Sequence, residues 1–223
     1  MEPREDMVAE MAHVFLANAN DIPADEENRA DYLTILVMRA RAGDALAFEQ
    51  IMLATEQRVV SIAWRMLGNS DDARDAAQEV YLRVFKYLGR FRAGEDFRGW
   101  LYRITINVCH DLAHRKRSMM TTRLSEINSG EERPEIEDRR TDPETRALRQ
   151  QQLALVRRAL HVLSTKERAA LVLRDLEGLS TEEVARALGS RPVTVRSQVS
   201  SARAKIKTYC EKLSRRGGHH GKT

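Results

Sequence analysis

A chain of 223 residues, 42% of them hydrophobic, has enough apolar material for one large core or two small ones. No run approaches the roughly 20 apolar residues that a membrane span needs, and the start, MEPREDMVAE, is acidic where a signal peptide is basic, so no membrane insertion is expected. Two distant cysteines, Cys109 and Cys210, without CxxC or CxxH spacing, suggest a cytoplasmic chain with reduced thiols and no metal or other cofactor.

Glycine and proline are sparse, no strand-like alternation persists, and apolar periodicity is helical nearly throughout. The expected fold class is therefore all-α: two small helical domains joined by a flexible polar linker, the second a helix-turn-helix. Residues 1–30 read as an N-terminal extension with a possible short helix from Met7 to Ala17. A helix follows around Tyr32–Ala42, broken by Gly43-Asp44. The next is long, marked by Phe48, Ile51, Met52, Val59, Ile62, Ala63 and Met66, and ends at Gly68-Asn69. Ser70-Asp71-Asp72 caps another helix, with Ala76, Ala77, Val80, Val84 and Leu88 inside. Gly89 to Asp96 is a polar loop, and Phe97 to Arg117 a further long helix. Residues 31–118 thus form one domain.

Residues 119–145 are polar and mostly acidic, and Pro134 and Pro143 discourage continuous helix. They are expected to be a linker. Residues 146–213 form the second domain, and residues 214–223, including His219-His220, a disordered tail.

Charge is divided unevenly among these segments. Residues 146–223 carry 17 basic and 6 acidic side chains, net +11, whereas residues 1–43 are net −5 and residues 119–145 net −4. Such asymmetry is expected of a nucleic-acid-binding module.

The second domain contains the most informative local pattern. Ser180 can cap a helix, and Glu183 three residues later completes a capping box. Val184, Ala185 and Leu188 form an apolar face, Gly189 stops the helix, and Pro192 suits the first turn of the next. Val195, Val199, Ala202 and Ile206 repeat inward. That leaves Thr194, Arg196, Ser197, Ser200, Ser201 and Arg203 off the stripe, with Arg191 in the turn. Short hydroxyls and arginines reach base edges and phosphates in a major groove. A helical hairpin with a merely solvated basic face is the bland reading.

The helix from Phe97 carries Arg98, Arg103, Arg115, Lys116 and Arg117 against a single acid, Asp111, with Trp100 and Tyr102 near its start. Cations with aromatics suit single-stranded DNA, but both aromatics could equally be core.

Three stretches in order carry a family resemblance: DALAFEQIMLATEQRVVSIAWRMLGNSDDARDAAQEVYLRVFKYLGRF, then FRGWLYRITINVCHDLAHRKR, then LS-x-x-ER followed by LEGLSTEEVARALG and TVRSQVSSARAKI. Over about residues 31 to 210 the chain resembles an extracytoplasmic-function (ECF) sigma factor of the sigma-70 family. The resemblance implies a protein without catalytic chemistry that binds core RNA polymerase, directs it to promoter DNA and helps to melt the start site in the cytoplasm, commonly under an anti-sigma factor. It implies a core-polymerase-docking segment with Asp75, Gln78, Glu79 and Arg83. It implies a −10-binding set, in which the loop Arg92, Ala93, Gly94, Glu95 and Asp96 captures a flipped base and Asn107 reads the upstream edge. The cluster Arg115, Lys116 and Arg117 would hold phosphates. It also implies a −35-reading face around Arg196, Ser197, Ser200 and Ser201. Val193, Gln198 and Ser201 depart from residues common in the family. The acidic linker, with Glu131, Glu132, Glu135, Glu137 and Asp138, would occupy polymerase channels, a plain tether being the alternative. Two other classes stay open: a helix-turn-helix regulator that binds duplex DNA without polymerase, and an enzyme, for which no nucleophile–base pair, phosphate loop or metal-ligand cluster speaks.

Overall fold

The chain is seen in a computed structural model that describes residues 26–92, 94–123 and 143–217; every regular element among them is helical. The readings for Met7–Ala17, Ala93, the acidic linker residues 131–138 and His219-His220 lie outside the described residues.

The first helix, α1 (Glu26–Arg41), ends at Gly43, which turns the chain at φ +97°. Asp44 then opens α2 (Ala45–Leu67) by accepting the Ala47 N–H at 3.1 Å, while Arg39 forks onto its other oxygen. Gly68 closes α2 in the left-handed region, as the Gly68-Asn69 signal implied. The cap of α3 (Ser70–Tyr87) is Asn69, not Ser70. Asn69 holds the extended backbone a cap needs, and its Oδ1 accepts from the N–H groups of Asp71 and Asp72 at 2.8 and 3.0 Å. Ser70 is already helical. After a short 3-10 turn, Asp96 caps α4 (Phe97–Arg123), accepting from the N–H groups of Arg98 and Gly99 at 3.0 Å.

Helix α4 runs six residues past the expected end at Arg117. Its surface from His114 to Met119 is exposed, so helical propensity continues it where no apolar stripe can signal it. Pro143, expected to oppose helix, stands first in α5 (Pro143–His161), where its missing N–H has no intrahelical partner.

Ser164 and Glu167 form a capping box at the start of α6 (Thr165–Leu171). A π-helical turn, Val172–Leu176, extends it. The second capping box, Ser180 with Glu183, opens α7 (Thr181–Ala187) as expected. Gly189 turns the chain at φ +59°, and α8 (Pro192–Gly217) follows.

Helices α1 to α4 pack together, with α2 at the centre against α1, α3 and α4. Ile51, Val59, Ile62, Val80, Val84, Leu101 and Ile106 fill the interior between them, each contributing about 1.5–3 kcal/mol by leaving water. Helices α5 to α8 form a second group, where Val195, Val199 and Ala202 of α8 pack inward on α6 and α7. The two groups share one apolar core: α7 lies on α4, and α5 and α6 touch α2.

Candidate functional site

The second helix of the helix-turn-helix turns its polar face outward. Arg191, Thr194, Arg196, Ser197 and Ser200 are exposed, while Val195 and Val199 anchor the helix from behind. The exposed ion pair of Arg196 with Glu182 of α7, at 3.4 Å, is weak and leaves the guanidinium available. Two of the residues read from the sequence are committed within the protein. Arg203 forks onto Asp175 of the π turn at 2.7 and 2.8 Å, and the Ser201 hydroxyl donates to Glu167 at 2.6 Å. Lys205 adds two contacts of 2.8 Å to the same carboxylate. These donors, with the Ser164 N–H and hydroxyl, push the Glu167 pKa down to about 2. Glu167 therefore fixes the angle between α6 and α8, and so the attitude of the exposed face. Nothing in helical periodicity marks this hub, although the Ser-x-x-Glu pattern at Ser164 is itself a capping-box signal.

The polar loop of the N-terminal domain is held at both ends. Phe91 and Phe97 are buried and meet edge-on at 5.6 Å, and both contact Trp100. Between them Arg92, Gly94, Glu95 and Asp96 are exposed, with Gly94 at φ +88°. Asp96 is the cap of α4 as well as a loop residue. Asn107 is exposed on the outer side of α4, and Arg115, Lys116 and Arg117 are exposed further along it. Lys116 pairs with Asp72 of α3. Of the two aromatics left open by the sequence, Tyr102 is core, 1% exposed, and Trp100 is half-buried in the cluster that anchors the loop.

A third surface lies on α3. Asp75 and Gln78 are exposed there. Glu79 and Arg83 sit on its flank, where Arg83 pairs with Glu79 at 2.8 Å and bridges to Asp111 of α4 at 2.9 Å. Both partners hold the Arg83 guanidinium in its charged form. The exposed face continues at helical spacing into Leu82 and Phe85, which are 66% and 68% exposed. Phe85 leans edge-on against Phe48 of α2 at 5.2 Å, and Leu46 and Leu53 of α2 are also exposed. Reading the sequence for inward stripes missed these four residues. The signal was present, since Leu82 and Phe85 fall off the stripe of Ala76, Ala77, Val80 and Val84. Exposed apolar side chains on one helical face, as Leu82 and Phe85 are, suit contact with another macromolecule.

Among the described residues, no group of histidine, cysteine, aspartate or glutamate side chains could hold a metal ion, and no helix is long and apolar enough to cross a membrane.

Comparison with known proteins places the segments that carry all three surfaces in one family. Residues 51–119 match the family model for Sigma-70 region 2, and residues 153–206 that for Sigma-70, region 4. The chain is 33% identical over 186 residues to the RNA polymerase sigma-H factor of Pseudomonas aeruginosa, covering 81% of this chain and 94% of that one. It is 31% identical over 188 residues to the ECF RNA polymerase sigma-E factor of Escherichia coli K12, covering 82% and 96%. Among solved structures it is similar to CnrH, determined in complex with the cytosolic domain of CnrY, with a TM-score of 0.63, 26% identity and coverage of 82% of this chain and 99% of that one. A sigma factor RpoE from Bartonella quintana, solved with the anti-sigma factor NepR, shares the fold at a TM-score of 0.58 and 22% identity, covering 74% and 97%. The chain therefore belongs to the sigma-70 family as an extracytoplasmic-function RNA polymerase sigma factor, which directs core RNA polymerase to promoters and assists their melting at the start of transcription.

Proposed function

We propose that the three surfaces divide the work of initiation. The outer face of α3, Asp75 and Gln78 with Leu82 and Phe85, docks on core polymerase, and Glu79 and Arg83 hold α3 against α4. The loop Arg92–Asp96 pockets one extruded base of the −10 element, Asn107 reads the upstream edge of that element, and Arg115, Lys116 and Arg117 hold phosphates. The exposed face of α8 reads the −35 duplex, with Arg196, Ser197 and Ser200 toward bases and Arg191 toward phosphate. Thr194 borders that face, while Ser201 and Arg203 brace the helix against α6 and the π turn. The units are residues 31–118 and 146–213. The chain works in the cytoplasm as a non-catalytic initiation factor.

The observation that carries this reading is the pairing, on one chain, of an exposed apolar face with an exposed polar recognition helix. A regulator that binds duplex DNA as a monomer needs only the second. We also infer an anti-sigma factor that covers the apolar face of α3, in keeping with the anti-sigma complex of a protein that shares the fold.

Extruding a base costs a few kcal/mol, which stacking and hydrogen bonds in a pocket must return. The test is holoenzyme on a duplex promoter and on the same promoter with a pre-opened bubble. Shortening the loop between Phe91 and Phe97 should impair the duplex more than the bubble. Normal open-complex formation on the duplex, by a folded loop variant bound to core polymerase, would contradict the assignment.

A further inference from the structure

The face of α8 contains one side chain that hydrogen bonding leaves unexplained. Val193, in the first turn, is 64% exposed. Among the described residues, every other large apolar side chain of α8 is at least partly buried. Val195, Val199 and Ala202 already seat the helix on α6 and α7, so Val193 adds little to that packing. As a β-branched residue it also lowers helix propensity slightly.

A single exposed valine is ordinary on a protein surface. The place of this one is not. Val193, Arg196, Ser197 and Ser200 stand at i, i+3, i+4 and i+7, so they form one row, and all four are exposed. The buried row of Val195 and Val199 lies behind them. Gln198 and Ser201 fall to the flanks: both are partly buried, and the Ser201 hydroxyl is committed to Glu167. Val193 stands first in the exposed row, at the N-terminal end by which a recognition helix reaches base edges. Its Cα–Cβ bond leans further toward that end.

The chemistry of valine narrows what it can read. It has no donor or acceptor, so it selects nothing by hydrogen bonds. The apolar group that a major groove displays is the C5 methyl of thymine. Helical valine holds one strongly preferred χ1 rotamer, so its methyls keep a fixed place where a longer side chain would sweep the groove. Methyl packed on methyl removes both from water. The rise from Val193 to Arg196 is about 4.5 Å along the helix axis, against about 3.4 Å for a base-pair step. The thymine therefore belongs next to the base pair that Arg196 reads.

We propose that Val193 is a specificity-determining residue that packs on the C5 methyl of a thymine in the −35 duplex, beside the base pair contacted by Arg196. This inference rests on the reading of α8 as the −35 helix. Arg196 supplies hydrogen bonds and Val193 an apolar contact, so the two residues read neighbouring pairs by different chemistry. Val193 departs from residues common in the family, so the family pattern does not supply this contact.

The experiment uses holoenzyme, the full chain with core polymerase, and begins by enriching duplexes from a library randomised across the −35 segment. Each thymine of the enriched element, on either strand, is then replaced by deoxyuridine, which lacks only the C5 methyl. Affinity is measured by fluorescence titration for the wild type and for Val193→Ala. At one thymine the wild type should lose about three- to fivefold, the scale of one buried methyl group. Val193→Ala trims an exposed side chain and favours helix, so it should fold. It should bind the thymine duplex more weakly by a similar factor, lose nothing further on deoxyuridine, and no longer enrich thymine at that position. An enriched element without thymine would overturn the proposal, as would unchanged wild-type affinity on every deoxyuridine duplex. An equal loss on deoxyuridine by both proteins would also overturn it, since the methyl would then act through another residue or through duplex stiffness. If holoenzyme enriches no −35 sequence, the reading of α8 falls and the proposal with it. If it enriches one that Arg196→Ala alters and Val193→Ala does not, only the thymine contact falls.

Discussion

Helices α3 and α8 each turn one face to solvent, and the two faces differ in kind. The face of α8 carries arginines and short hydroxyls backed by buried valines. The face of α3 begins with Asp75 and Gln78 and ends in Leu82 and Phe85. Hydrogen-bonding groups suit base edges and phosphates. Exposed leucine and phenylalanine gain most from a dry protein interface, where their apolar area leaves water. The contrast teaches that exposure alone does not assign a surface; the chemistry of the exposed residues says what kind of partner fits it.

The largest expected effect breaks the protein-binding side. Leu82→Ala together with Phe85→Ala should weaken affinity for core polymerase by about 2–4 kcal/mol, roughly 30- to 700-fold. Titration of labelled core polymerase checks it, with helix content as the control. An unchanged affinity would remove the α3 face from the account.

The next effect sharpens the DNA-binding side. Arg196→Ala should cost about 1–3 kcal/mol and relax preference at one −35 position, whereas Arg191→Ala should weaken all promoter sequences alike. Holoenzyme binding to a panel of single-base promoter variants separates the two. A flat profile for Arg196→Ala that matches wild type would show that this residue does not read a base.

A third prediction concerns the support behind α8. The folded pKa of Glu167 lies at about 2, below its ordinary value of 4.5. Its contribution is therefore complete above about pH 4.5 and is lost as pH falls toward 2. Thermal melts across that window should show the wild type losing stability with acid, and Glu167→Gln should flatten the decline. Equal slopes in both proteins would argue that the hub is not a source of stability.

Much of this comparison was legible in the sequence. The capping box at Ser180, the stop at Gly189 and the stripe of Val195, Val199 and Ala202 stand where periodicity put them. Family resemblance suggested the roles proposed for α3 and the loop. What remained hidden depends on contacts between distant residues. Arg65 and Glu177 are 112 positions apart, and no local pattern links them. The π turn that presents Glu177 inserts into an otherwise helical run without glycine or proline. Leu82 and Phe85 were overlooked because a search for buried stripes assigns apolar residues inward and ignores those left outside. Asn69 displaced Ser70 as a cap because both are good caps and only backbone geometry chooses between them.

The smallest expected effect is at Lys116. Its exposed pair with Asp72 should contribute under about 1 kcal/mol to stability. If it also holds a phosphate, Lys116→Ala should lower the salt slope of promoter binding by about 1. A slope identical to wild type would leave only the ion pair with Asp72.

The face of α3 and the face of α8 should act together only through polymerase. Binding of the full chain to a fluorescent duplex carrying its promoter, with and without core polymerase and against a scrambled duplex, tests this most directly. Sequence-specific retention should appear only when core polymerase is present. Tight, specific binding by the chain alone, unchanged by core polymerase, would contradict the account and mark a duplex-binding regulator instead.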